Sequence, residues 1–288
     1  LSARAKKSTA ATTIIAVTSD QHCGGTTALC PPQVSLDDGG HYTASKAQRW
    51  LWQGWHTYWD RVEALRDQHK AKLVAVFNGD MTDGDHHGTT QILSGNPTAQ
   101  AAVVNEVMSV PYALAPDHFL FIRGTEAHVG KSAAFEERIA LGLKKDGRPV
   151  IMDTETGTAS HWHKAIDIDG VTIDFTHHGR MGQRPWTRGN TVNLTAFQIW
   201  TEHHLAGRTP PHLAVRSHMH QYWDTANAYP TRVIQTASWQ LATAFVHKVV
   251  AESSLADVGG LILMVRDGVL SVEPVLFKPS APPVWRAA

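Results

Sequence analysis

LVAVFNGDMTD, residues Leu73–Asp83, is the stretch on which the reading of this 288-residue chain turns. Leu73–Phe77 is an unbroken apolar run, the pattern of a short strand covered on both faces. Asn78 and Gly79 stop it, and two carboxylates, Asp80 and Asp83, follow at once. The same form recurs along the chain. Thr13–Thr18 (TIIAVT) runs into Ser19-Asp20-Gln21-His22, Phe119–Ile122 (FLFI) into Arg123-Gly124-Thr125-Glu126-Ala127-His128, and Leu213–Arg216 (LAVR) into Ser217-His218-Met219-His220. Each apolar run is followed by side chains that ligate metals or move protons.

Helical periodicity fills the intervals. Ser45–His69 carries Trp50, Leu51, Trp55, Tyr58, Trp59, Val62 and Leu65 at helical spacing, with Trp52 off that stripe and expected at the surface. Thr98–Met108, Ala133–Lys145 and Leu194–Leu205, the last closed by Gly207, read as further helices. Asp169-Gly170 and Asp267-Gly268 sit between alternating runs and predict two hairpins, 165–169 with 171–176 and 261–265 with 270–277. The first hairpin ends in Thr176-His177-His178. Strand–helix repetition followed by antiparallel ribbons predicts an α/β fold with mixed sheets. No linker or repeat interrupts the chain, so one domain over residues 1–288 is expected, with irregular termini at 1–12 and 279–288.

Composition narrows the functional classes. Hydrophobic residues make up 42% and charged residues 18%, enough for a sizeable core. Twenty-six basic residues balance 26 acidic ones, so the charge offers no general attraction to nucleic acid or an anionic membrane. Two cysteines, Cys23 and Cys30, are too few for a disulfide framework or a four-thiolate zinc site. No apolar run reaches the length of a membrane span and the polar N-terminus lacks an apolar signal core, so a cytoplasmic location is expected. Histidine stands out, with 18 copies.

In open α/β sheets ligands bind beyond the carboxyl ends of strands. Five such ends here supply Asp20 and His22; Asp80 and Asp83; Glu126 and His128; His177 or His178; and His218 and His220. Imidazoles mixed with carboxylates suit a pair of divalent transition ions, Mn, Zn or Fe, between which an Asp can bridge. Two such ions can activate water and clamp a phosphoryl oxygen.

The order Asp20-Gln21-His22, Gly79-Asp80-Met81-Thr82-Asp83, Gly124-Thr125-Glu126-Ala127-His128, His177, then Ser217-His218-Met219-His220 resembles the calcineurin-like metallophosphoesterases, from about Thr13 to His220. The resemblance implies a four-layer αββα sandwich with helices on the outer faces. It implies hydrolysis of a phosphodiester or phosphomonoester by a hydroxide shared between two metals. Asp20, His22 and His220 would hold the first metal, His177 and His218 the second, and Asp80 would bridge, with Asp83 behind them. Two departures stand out. Ser217 replaces a glycine, and the third block lacks the family's Asn-His pair. Glu126 would stand in for the Asn as second-metal ligand and His128 for the His as catalytic group; Thr125 is the alternative through its hydroxyl.

Further contacts to substrate are expected from His87 and from Arg180, Arg184 and Arg188, in the loop RMGQRPWTRGN (180–190) that leaves the metal rim. A small phosphoester is the expected substrate; nucleic acid is the alternative within the same chemistry. A non-catalytic scaffold of the same fold is the alternative from another class, and only the altered third block favours it. Oligomeric state is left open.

Overall fold

The structure is a computed structural model and describes residues 11–86, 88–182, 184–249 and 256–280. Its strands are β1 (Thr13–Thr18), β2 (Gln33–Ser35), β3 (His41–Thr43), β4 (Lys72–Asn78), β5 (His118–Ile122), β6 (Ser160–His161), β7 (Lys164–Ile168), β8 (Val171–His178), β9 (Leu213–Ser217), β10 (Trp223–Asp224), β11 (Arg232–Gln235), β12 (Val258–Arg266) and β13 (Val269–Phe277). Its helices are α1 (Lys46–His69), α2 (Pro97–Ala113), α3 (Glu126–Val129), α4 (Ala134–Lys145), α5 (Arg188–Leu205) and α6 (Ala244–Val249).

Among the described residues the strands form two large sheets and one hairpin. The first sheet runs β13-β12-β1-β4-β5-β6, the second β10-β11-β9-β8-β7, and β2 pairs with β3. β1, β4 and β5 are parallel neighbours, as are β8, β9 and β11, while β12–β13 and β7–β8 are the antiparallel hairpins expected from the Asp-Gly pairs.

Side-chain alternation places the layers. Ile15, Val17, Val74, Val76, Leu120 and Ile122 point one way from the first sheet and meet Ile173, Phe175, Leu213, Val215 and Ile234 of the second. Ile14, Ala16, Leu73, Ala75, Phe77, Phe119 and Phe121 point the other way, onto Leu51, Trp55, Tyr58 and Trp59 of α1 and Val103 and Val107 of α2. A strand flanked by apolar layers on both sides loses its polar alternation, which is why these runs read as continuously apolar. The second sheet turns Ala214 and Val233 outward onto Val192 and Ala196 of α5. The order is therefore helix, sheet, sheet, helix, the four layers anticipated.

α1 starts as predicted, with Ser45 as N-cap in a capping box with Gln48. Trp50 is half-buried against the core, and so is Trp52, contrary to the surface position expected for it; Trp52 also stacks edge-on against His56. α5 begins at Arg188, six residues earlier than the apolar pattern indicated, so Arg188 lies on a helix and not in a loop. Cys23 and Cys30 are buried free thiols. No described helix is long and apolar enough to cross a membrane.

Candidate metal centre

β1, β4 and β5 in one sheet and β8 and β9 in the other open their carboxyl ends onto a common rim. Four backbone hydrogen bonds sew the first two segments together: Asp20 N to Gly79 O at 2.9 Å, His22 N to Asp80 O at 3.0 Å, Cys23 N to Met81 O at 2.9 Å and Asp83 N to Cys23 O at 3.1 Å. Asp20, His22, Asp80, His218 and His220 all adopt left-handed φ values, between 46° and 76°. Non-glycine residues rarely do so, at a cost of about 1–3 kcal/mol each, and such strain gathers at functional sites. Two glycines leave room for the side chains: a Cβ on Gly79 would stand 2.4 Å from His177 Nδ1, and one on Gly124 2.2 Å from Asp80 Oδ1.

Three groups of donors overlap here: Asp20, His22 and His220; His22, Asp80 and His128; Asp80, His177 and His218. Within each, one donor atom per residue lies within 4.8 Å of the others. Asp80 belongs to two groups, the position a shared carboxylate would take. A fourth group, Asp83, His86 and His128, adjoins them.

Four of the histidines have their outer ring nitrogens engaged. His22 Nδ1 donates to Asp83 Oδ1 at 3.1 Å and His177 Nδ1 to the carbonyl of Asn78 at 2.7 Å. His128 Nδ1 donates to the carbonyl of Asp83 at 2.7 Å, and His218 Nδ1 lies 3.2 Å from Thr125 Oγ1. Such outer partners fix tautomer and ring orientation and leave Nε2 facing inward. His22 Nε2 and His220 Nε2 are 3.2 Å apart, and His177 Nε2 is 2.9 Å from Asp80 Oδ2. Asp20 Oδ1 is buried without a hydrogen-bond donor, though Nε2 atoms of His220, His22 and His177 surround it at 3.2, 3.8 and 3.9 Å.

Without a cation, protons must hold this set together. Burial alone pulls His22 down, but the neighbouring Asp20 carboxylate, the hydrogen bond to Asp83 and the charges of Asp80 and Asp83 outweigh it and push it up to about 10. For His177, burial is likewise overcome, by Asp80 and Asp20, and it rises to about 9. Burial would raise Asp20 and Asp80, yet the imidazoles beside them hold both well below the usual carboxylate range. His128 is pulled down to about 4, by burial first and by the His22 charge next, so its ring is neutral. Buried, converging imidazoles and carboxylates with one unsatisfied carboxylate oxygen are a donor set that fits divalent cations.

The third block differs from its expected arrangement. Glu126 is exposed and turns away from the cluster, its Oε1 accepting from Ser132 N at 2.9 Å. The cause is helical geometry. Thr125 caps α3 and accepts the His128 N–H at 2.8 Å, so residues 125 and 128 share a face while 126 is rotated about 100° off it. Thr125 takes the inward place: its N–H donates to Asp80 Oδ1 at 2.6 Å and its hydroxyl faces His218. His177 is buried in the cluster, whereas His178 is exposed, with Nε2 3.5 Å from Thr125 Oγ1. Arg180 and Arg184 are exposed and Arg188 is half-buried; none joins the cluster. His87 lies outside the described residues.

Sequence reasoning missed two supporting groups, Gln240 and Glu136. Gln240 Nε2 donates to Asp83 Oδ1 at 3.2 Å, on a chain segment whose Trp239 N–H reaches Asp20 O at 3.0 Å. His86 packs edge-on against His128, with ring centroids 4.3 Å apart. Glu136, wholly buried, accepts from Gly124 N at 2.8 Å and is pushed up to about 8 by burial first and then by the Asp80 charge. In the sequence Glu136 is an ordinary acidic residue in the first turn of a helix, and nothing marks Gln240 at all.

No protein-family model and no curated protein matches the chain. Among solved structures it is similar to Vps29 from Chaetomium thermophilum, at 10% identity over 92% of this chain and 98% of that chain, with a TM-score of 0.41. It is similar to the sulfate thiohydrolase SoxB of Thermus thermophilus, at 12% identity over 92% of this chain and 57% of that one, TM-score 0.41. A predicted phosphoesterase from Streptococcus pneumoniae TIGR4 aligns at 11% identity over 92% and 89%, TM-score 0.35. These likenesses are too distant to carry a function across, and the site is read from its own residues.

Proposed function

We propose that the protein is a calcineurin-like metallophosphoesterase that hydrolyses a phosphodiester or phosphomonoester with two divalent cations. One observation carries this reading: five strand ends bring imidazole nitrogens and carboxylate oxygens together while the outer nitrogens of His22, His128, His177 and His218 are tied off. Asp20, His22 and His220 would hold one cation, His177 and His218 the other, with Asp80 between them. The mixed nitrogen and oxygen donors suit Mn²⁺, Zn²⁺ or Fe ions. Bound there, such a pair supplies Lewis acidity toward phosphoryl oxygens and lowers the pKa of a water.

The chain's own residues do the rest. Asp83 and the Asn78 carbonyl fix the tautomers of His22 and His177. The Thr125 N–H keeps the Asp80 carboxylate from rotating. His128 stands at the open side with a neutral ring and its Nδ1 proton engaged, so Nε2 is an acceptor. It would take a proton from the attacking water and return it to the departing oxygen.

The test is metal analysis of the purified chain together with turnover of bis(p-nitrophenyl) phosphate and p-nitrophenyl phosphate, before and after chelation. Two metal equivalents and a chelator-sensitive activity restored by Mn²⁺ or Zn²⁺ are expected. Full metal with no turnover of either ester would replace this reading by a non-catalytic one, which the outward-turned Glu126 favours. Absence of metal binding would sink both.

A further inference from the structure

A groove of about 300 Å³ opens beside the cluster, lined by His178, Arg180, Thr195, Gln198, Glu202 and Arg216. One wall belongs to the metal rim. His178 adjoins His177 and His218, its ring centroid 5.1 and 5.2 Å from theirs. The opposite wall is α5, where Thr195, Gln198 and Glu202 recur at i, i+3 and i+7 and so form one stripe along the helix. An ester with its phosphoryl group at the cluster would send one of its arms into this groove.

The lining describes that arm. Among the described residues no Phe, Tyr or Trp borders the groove; its one ring is the His178 imidazole at the metal-rim end, so the wall along α5 offers no stacking platform for a nucleobase or an aryl group. Arg216 is already committed: Nη2 donates to Asp174 Oδ2 at 2.7 Å and Nη1 to Val215 O at 2.8 Å. Arg180 is exposed and forms no ion pair among the described residues, which leaves one cation for a non-bridging phosphate oxygen. Glu202, Gln198 and Thr195 add a carboxylate, an amide and a hydroxyl, groups that pair with alcohol hydroxyls.

The geometry points to a specificity groove for the alcohol side of the ester, selecting a polyol or sugar over an alkyl, aryl or nucleoside group. Glu202 and Gln198 read the hydroxyls, and Arg180 steadies the phosphate. The placement of the ester rests on the phosphoesterase reading; the groove's selectivity is measured without turnover.

Calorimetric titration of the metal-loaded full chain compares glycerol 3-phosphate with n-propyl phosphate, which has the same carbon chain and no hydroxyls. We expect the glycerol ester to bind about tenfold more tightly, the scale of one or two good hydrogen bonds. Gln198→Ala and Glu202→Ala, both at exposed helix positions, should each shrink that ratio to about threefold or less. Equal affinities in the wild type overturn the proposal, as does a ratio indifferent to both variants. So does adenosine monophosphate binding more tightly than glycerol 3-phosphate. A chain that shows the ratio but hydrolyses no ester keeps the groove and loses the esterase; one that hydrolyses esters without the ratio does the reverse.

Discussion

The two halves of the candidate metal centre are anchored differently. In the half built from Asp20, His22 and His220, the outer nitrogen of His22 rests on a carboxylate, Asp83, which Gln240 also holds. In the half built from Asp80, His177 and His218, the anchors are neutral: the Asn78 carbonyl for His177 and the Thr125 hydroxyl for His218. An anionic outer partner makes an imidazole more basic toward a metal than a carbonyl or hydroxyl does. The first half should therefore hold its cation more tightly and surrender it later to a chelator.

The residue common to both halves offers the strongest way to break this contrast. Asp80→Asn removes the negative charge placed between them, and turnover should fall more than about a thousandfold while metal is lost from both. Near wild-type turnover with two metals retained would refute a shared carboxylate.

Asp83→Asn should separate the halves. Loss of the anionic anchor should weaken the first cation about 10–100-fold and leave the second unchanged, as read by chelator titration with metal analysis. Equal weakening of both would mean that the anchors do not set the difference.

Acidity probes the two halves together. In the metal-free protein His22 rises to about 10 and His177 to about 9 from the ordinary value of 6.5. Their stabilisation is complete below pH 6.5 and is lost as pH climbs through 9 to 10. Asp20 and Asp80, held low, stabilise above their usual value near 3.8 and cease to do so as acid protonates them. Metal-free melting temperature should therefore peak at mildly acidic pH and drop by several degrees, at about 2–4 °C per kcal/mol, toward pH 9–10. With Zn²⁺ or Mn²⁺ present the trend should reverse, because the metal binds deprotonated imidazole. Parallel pH curves with and without metal would count against the cluster as the binding site.

Smaller effects sharpen the third block. Thr125→Val deletes the hydroxyl behind His218 and should weaken only the second cation, about three- to tenfold. Glu126→Ala should change neither metal content nor stability by more than about 0.5 kcal/mol, since Glu126 faces solvent. Selective loss of the second metal in Glu126→Ala would restore the ligand role that the sequence pattern suggested for it.

Much of the centre was legible because its residues follow strands directly. Asp20, His22, Asp80, His177, His218 and His220 each sit within a few residues of an apolar run, and a run covered on both faces can be recognised without its partners. Where a helix intervenes, reading by spacing alone failed. Glu126 was expected to face inward as a ligand beside a catalytic His128, but α3 begins at Glu126 and its rotation keeps His128 at the site, presents Thr125 and turns Glu126 outward. The start of α5 was missed for a related reason. Arg188, Gly189 and Asn190 carry no apolar periodicity, although the helix begins there, so Arg188 looked like part of a loop.

The sequence by itself determined the strands that lead to the site, their apolar faces and the donors at their ends, because hydrophobic alternation and turn chemistry act over a few residues; the short strands β2, β3, β6, β10 and β11 it did not reveal. The tertiary structure alone decided which donors meet. His22 and His220, 198 residues apart, bring their nitrogens to 3.2 Å only because two sheets pack with their carboxyl ends on one rim. It also decided the outer anchors beyond Asp83, since Gln240, Glu136 and the Asn78 carbonyl reach the site through contacts that no local pattern encodes. Metal affinity and proton position depend on those contacts, so the chemistry became readable only once the chain was folded.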